Sequence, residues 1–201
     1  MKSITLLIID ESGSMAGMEG YVNETYLGIV NQIKTELVAT PELEQFLEIW
    51  TFEGENFRQR VPFMQLSNST IPSTLEYKPG FSTPLFDAMG ISLTAMDARI
   101  KSVESLKESH VNVSIITDGM ENSSTRYLGR DIAKMVESFK ESNWNFAYYG
   151  TNHDVFSIAK DLKMDYVQSF VKDEEGFMKN LNVLNERSHE NRRAYMDKFK
   201  K

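Results

Sequence analysis

Two buried-strand patterns, the first a nearly unbroken apolar run and each stopped by a carboxylate, constrain this chain more than any other feature. Ile4 to Ile9 reads Ile-Thr-Leu-Leu-Ile-Ile and ends at Asp10; Val111 to Thr117 reads Val-Asn-Val-Ser-Ile-Ile-Thr and ends at Asp118. Runs of this length and character suit strands covered on both faces, as in a sheet flanked by helices. In open parallel sheets, ligands bind in the crevice beyond the carboxyl ends of the strands. Both aspartates therefore fall where a site is expected.

The loops around them carry oxygen and little else. Asp10-Glu11-Ser12-Gly13-Ser14-Met15 sets two hydroxyls beyond the first strand-end carboxylate, with Gly13 between them for close backbone approach. Between the two strands, Gly80-Phe81-Ser82-Thr83-Pro84-Leu85 places a threonine directly before a proline. Proline is tolerated in the first turn of a helix, so Thr83 is expected at the N-cap with its side chain facing the crevice. Asp10, Ser12, Ser14, Thr83 and Asp118 together form a hard-oxygen donor set suited to Mg2+, and Mn2+ would accept it too. Taken singly, each residue has an ordinary meaning: a turn, a cap, or a common Asp-Gly pair.

In combination and in this order, the three loops resemble the von Willebrand factor A (VWA) domain family and its metal-ion-dependent adhesion site (MIDAS). That pattern is Asp-x-Ser-x-Ser, then a distant Thr, then a distant Asp, and the Thr83-Pro84-Leu85-Phe86-Asp87-Ala88 context matches as well. The resemblance runs from Ser3 to about Phe170, with a final helix at about 173–200 completing a single VWA domain over 1–201. It implies a doubly wound, Rossmann-like α/β fold: a mostly parallel central sheet with one antiparallel edge strand, and helices on both faces. It also implies that Ser12, Ser14 and Thr83 bind the ion directly while Asp10 and Asp118 often act through water. A partner protein then supplies an Asp or Glu as the last ligand. Thr117 to Ser123 looks like the intracellular bacterial and phage members, which often serve as adaptors, rather than the integrin members. The expectation is thus a stand-alone, cytoplasmic, metal-dependent protein-binding domain with no catalytic residues. Only Glu19 follows where integrin-type domains carry an auxiliary acidic cluster, so no auxiliary calcium site is expected.

Sequence neighbours of the ligands are candidates for a partner-binding rim: Glu11, Met15, Met18, Phe81, Met120, Glu121 and Asn122. Methionines there would form an adaptable apolar collar, or would simply pack. Asn152-His153-Asp154 either reaches the same crevice or is an exposed loop. His110 and His189 suggest no role.

Composition narrows the alternatives. The chain has 201 residues, 41% apolar and 25% charged, enough for one well-buried α/β domain. A net charge of −7 argues against a general nucleic-acid surface, and the absence of cysteine removes disulfides and thiolate sites. No stretch has the ~20 apolar residues of a membrane span. Arg187 to Lys201 is locally basic, fitting an acidic partner, anionic lipid or a solvated last helix. A Mg2+-dependent hydrolase or phosphotransferase is the alternative, since haloacid-dehalogenase-like phosphatases also begin with a strand-end aspartate. That chemistry wants an acid/base carboxylate two residues on, where this chain has Ser12. Metal-mediated self-association is a third reading, with a monomer otherwise expected.

Periodicity orders the rest. Val22, Tyr26, Ile29, Val30, Ile33 and Leu37 form one helical stripe. Leu47–Phe52 and Arg58–Leu66 read as a hairpin, with Pro62 marking an edge strand. A helix follows from Pro84 to about Ser102, with Leu85, Ala88, Met89, Leu93 and Met96 on one face. Another is expected from about Leu128 to Glu141, then a strand over Trp144–Tyr149. A helix over Val155–Leu162 and a short strand over Tyr166–Phe170 come next. The final helix turns Phe177, Leu181, Leu184 and Tyr195 inward.

Overall fold

The computed structural model describes residues 1–67, 71–151, 154–171 and 173–198, and leaves aside the side chains of residues 174, 177, 178, 180 and 181. Six strands form one sheet: β1 (Lys2–Asp10), β2 (Glu44–Glu53), β3 (Asn56–Gln65), β4 (His110–Thr117), β5 (Trp144–Gly150) and β6 (Tyr166–Ser169). Their spatial order is β3-β2-β1-β4-β5-β6, and only the β2–β3 pair is antiparallel. Five helices cover it: α1 (Glu19–Ala39), α2 (Leu85–Ser102), α3 (Gly129–Lys140), α4 (Val155–Asp161) and α5 (Glu174–Asp197). This is the mostly parallel α/β architecture, with one antiparallel edge strand, that the sequence implied.

Alternation within the strands sends their apolar side chains into two cores. Ile4, Leu6 and Ile8 join Val111, Val113 and Ile115 against α2, α3 and α4. Leu7, Ile9 and Ile116 pack on the other face, with α1 and Leu184 of α5. The expected stripe of α1 is buried from Val22 to Ile33, and the five expected residues of α2 are buried as well. In α5, Leu184 and Tyr195 are buried as expected, while the expectation for Phe177 and Leu181 falls on side chains outside the description.

Strand β3 lies at the sheet edge, as expected from Pro62, and its pairing is irregular. Register shifts on β3 fall between the Leu47, Ile49 and Trp50 pairings, so Pro62 sits in a stretch that needs no regular ladder bond. Strand β2 begins at Glu44, three residues before the expected Leu47, and β3 spans Asn56–Gln65 rather than Arg58–Leu66; the start of α2 also differs from expectation. Helix α2 begins at Leu85, with Pro84 rather than Thr83 in the N-cap position. The cause is a tertiary tether: Thr83 N donates to Asn122 Oδ1 at 2.9 Å, and Thr83 O accepts from Asn122 N at 3.1 Å. That exchange draws Thr83 out of the helix, and Pro84 loses nothing by preceding it because it has no N–H.

Candidate functional site

Strand order reverses between β1 and β4, because the chain leaves β1 for β2 on one side and later returns to β4 on the other. Their carboxyl ends therefore open a crevice at the topological switch point. Asp10 closes β1, and Asp118 follows β4 directly. A short 3-10 turn over Gly13–Met15 folds the first loop back, putting both serines on the same side.

All five residues read from the sequence meet there. Asp10 Oδ1 accepts from Ser12 N at 2.7 Å, and Asp10 Oδ2 from Thr117 Oγ1 at 2.6 Å. The two serine hydroxyls lie 3.1 Å apart, and Ser14 Oγ donates to Asp118 Oδ1 at 2.6 Å. Thr83 reaches the same spot from the third loop. A Cβ added at Gly119 would lie 3.0 Å from Thr83 Oγ1, 3.3 Å from Ser14 Oγ and 3.4 Å from Asp10 Oδ2. Oxygens from all three loops thus face one small cradle that only a glycine leaves open.

Burial shapes the electrostatics of this cradle. Asp10 is fully buried, and burial pushes its carboxyl up to about 6 despite hydrogen bonds from Thr117 and Ser12; the charge of Asp118 adds to the rise. Among the described residues no Lys, Arg or His pairs with Asp10. A divalent cation would supply that missing positive charge, so the donor set fits one. Nowhere among the described residues do three or more His, Asp or Glu gather to hold a metal. Any metal chemistry here therefore rests on hydroxyls and a pair of carboxylates.

Of the sequence neighbours proposed as rim, the structure buries Glu11, Met15 and Met18. Glu11 is an anchor: its carboxylate accepts Arg60 Nη2 at 2.8 and 3.0 Å and Lys78 N at 2.5 Å, and Arg58 approaches to 3.6 Å. Met15 and Met18 fill the core beneath α1. Phe81 and Met120 are exposed, at 83% and 61%. Asn122 ties its loop to Thr83, as described above, and Glu121 accepts from Phe86 N at 3.0 Å at the start of α2. Asp154 caps α4 by accepting from Ser157 N at 3.1 Å, while Asn152 and His153 lie outside the described residues.

Sequence reasoning missed the supports of the site. Tyr77, buried and with its hydroxyl pushed upward by burial and by Asp10, donates to the Asp10 backbone carbonyl. Asp87 in the first turn of α2 accepts from Thr125 N at 2.9 Å, Arg126 N at 2.9 Å and Tyr127 N at 2.8 Å, holding the loop after Asp118. Tyr77 lies in the irregular stretch before the Thr83 loop and carries no local signal. Asp87 sits beside the Thr-Pro motif, and an acidic residue in a first helical turn was the available sign.

No protein-family model matches this chain, and no curated protein matches it by sequence. Its fold, however, is shared with solved structures. The VWA domain of SpRpn10 superposes with a TM-score of 0.61 at 10% identity, covering 90% of this chain and 94% of that one. The N-terminal domain of TFIIH p34 gives 0.56 at 12% identity, covering 91% and 96%. The pilus adhesin SpaC from Lactobacillus rhamnosus GG, in an open conformation, gives 0.59 at 12% identity, covering 94% of this chain and 30% of the adhesin. At such identities the likeness establishes the fold alone: it is VWA-like.

Proposed function

We propose that this chain is a metal-dependent protein-binding module of adaptor type, not an enzyme. In this reading Asp10, Ser12, Ser14, Thr83 and Asp118 hold Mg2+, with Mn2+ as a substitute. The convergence of three loops' oxygens on the Gly119 cradle carries the proposal. When bound, the ion supplies an electrophilic position that a carboxylate from a partner protein fills. Two carboxylates balance the divalent charge, and the neutral hydroxyls leave the ion attractive to a further anion. Thr117 and Ser12 N fix Asp10, while Asn122 and Asp87 fix the other two loops relative to it.

Catalysis is disfavoured by the same geometry. Two residues beyond Asp10 stands Ser12, and the nearby Glu11 carboxylate is committed to Arg60 and the Lys78 amide. Among the described residues, neither of these two positions supplies the acid/base carboxylate that such catalysis wants beside a strand-end aspartate. A cytoplasmic setting, and kinship with the bacterial and phage adaptors, belong to this proposal. Among the described residues no helix is long and apolar enough to cross a membrane.

The test is a pull-down from host lysate with Mg2+ and with chelator, using wild type and Ser12→Ala/Ser14→Ala. A protein retained only by wild type in Mg2+ is the expected result. Equal retention in all arms would remove the metal from the function. Mass measured with and without Mg2+ reads self-association: a metal-dependent dimer would make the partner a second copy of this chain.

A further inference from the structure

Phe81 is an expensive residue to leave in solvent. Its backbone adopts the left-handed conformation (φ 54°), which bulky L residues enter only under constraint, and its side chain is 83% exposed. The constraint is visible on both sides. Phe81 O accepts from Gly13 N at 3.0 Å, inside the serine loop of the site, and Ser82 O accepts from Gly54 N at 3.0 Å, in the β2–β3 turn. Gly54 is itself left-handed (φ 52°), and a Cβ there would lie 3.1 Å from Phe81 Cβ. Among the described residues the Phe81 ring stacks on no other ring. The main chain therefore holds a largely exposed aromatic side chain at the edge of the oxygen cradle.

Beside that ring lies a cavity of about 490 Å3, lined by Gly54, Glu55, Asn56, Phe81 and Ser82. Glu55 is exposed and has no ion-pair partner among the described residues. Asn56 donates to Glu53 through its amide nitrogen at 2.7 Å, so its side-chain oxygen remains an acceptor. An aromatic face, a carboxylate and an amide oxygen around one hollow are the complement of a planar, donor-rich cation. The adjoining cavity shares Gly54, Glu55 and Ser82 but also contains Arg126, whose guanidinium sits 5.9 Å from the Phe57 ring centroid. A cation already occupies that side, which leaves the Phe81 side for an incoming one.

We propose that the Phe81–Glu55 hollow is a second recognition site, taking an arginine from the same partner that brings the acidic ligand. This rests on the metal-dependent reading above and makes it more specific. It also resolves an electrostatic difficulty. A chain of net charge −7 repels a purely acidic partner, and a cation next to the partner's carboxylate offsets that repulsion. Arginine suits the hollow better than lysine because its flat fork stacks on Phe81 while donating to Glu55 and Asn56.

The test pans a random dodecapeptide phage library on the immobilised full chain in Mg2+ and elutes with EDTA. The expected pool pairs an Asp or Glu with a nearby Arg. A synthetic peptide from it should bind about fivefold more weakly to Glu55→Gln, and similarly to Phe81→Asn. Asparagine tolerates the left-handed backbone, so that variant removes the ring without breaking the turn. An EDTA-eluted pool rich in acid but not in arginine, or a peptide indifferent to both variants, overturns the arginine site and leaves the metal reading standing. A pool with no EDTA-eluted component overturns both.

Discussion

Asp10 and Glu11 are adjacent in the chain and opposite in their electrostatics. Glu11 is fully buried yet compensated by Arg60 and Arg58, whereas Asp10 is buried with hydroxyl and amide donors only. One is bound up in the fold; the other is left needing positive charge. Glu11→Ala strands Arg60 beside the loop and should cost about 3 kcal/mol, read by urea unfolding. Gly119→Ala tests the cradle instead. Its methyl would crowd Thr83 Oγ1, Ser14 Oγ and Asp10 Oδ2 at 3.0–3.4 Å, so Mg2+ affinity should fall at least tenfold while far-UV dichroism stays native. Unchanged affinity would place the ion, if any, elsewhere. At this scale the ligands themselves were legible, because each is a chemically distinctive residue at a strand end. The partners of Glu11 were not. Arg58 and Arg60 lie on an edge strand 47 and 49 residues away, and a register irregularity beside Arg60 contributes to its aim.

At the level of elements, the loop after Asp118 is held by the start of α2. Asp87 accepts from three consecutive backbone N–H groups of residues 125–127, and Glu121 accepts from Phe86 N. Gly90 lets the Tyr127 ring lie on the helix, since a Cβ there would come within 2.5 Å of it. Asp87→Ala should therefore cost about 2 kcal/mol and speed hydrogen exchange at 121–127 before the rest of the fold. These contacts are non-local, which is why the strand and helix spans were legible while Thr83 was expected at the N-cap. The sequence carries the period of α2 but not the pull of Asn122 that shifts its start.

Helix α5 is anchored by polar contacts rather than by an apolar stripe alone. Arg192 makes a bidentate pair with Glu36 of α1 at 2.5 and 2.7 Å, and Asn191 Nδ2 donates to Asn112 Oδ1 at 3.0 Å. Burial works against the Glu36 charge, but Arg192, Gln32 and His189 together hold its carboxyl below the usual range. His110 stacks on Tyr195 with centroids 5.2 Å apart, and burial, with Arg192 and Lys198 nearby, lowers it to about 4. It is neutral in the fold but takes a proton in the unfolded chain below about 6.5, so its contribution is present above that pH and is lost as pH falls toward 4. From pH 7 to 5.5 this should remove roughly 1 kcal/mol, a slope that His110→Gln flattens. An identical slope in the variant would assign the pH dependence to other groups.

For the whole molecule, the two apolar runs dictated a sheet buried on both faces, and the alternation inside them sorted the two cores. What they did not dictate was the strand order. Placing β1 beside β4 brings the three ligand loops to one crevice, although residues 10 and 118 are over a hundred positions apart. A filled site should act as a clasp across that gap. Mg2+ at a hundredfold excess over its dissociation constant stabilises by about 2.7 kcal/mol, which raises Tm by roughly 5 to 10 °C for a chain of this size.

The central claim is that Asp10, Ser12, Ser14, Thr83 and Asp118 hold a divalent cation, and a calorimetric titration of Mg2+ reads it most directly. Wild type should give one saturable site per chain that disappears in Ser12→Ala/Ser14→Ala. No saturable heat in wild type, or the same heat in both proteins, would contradict the account.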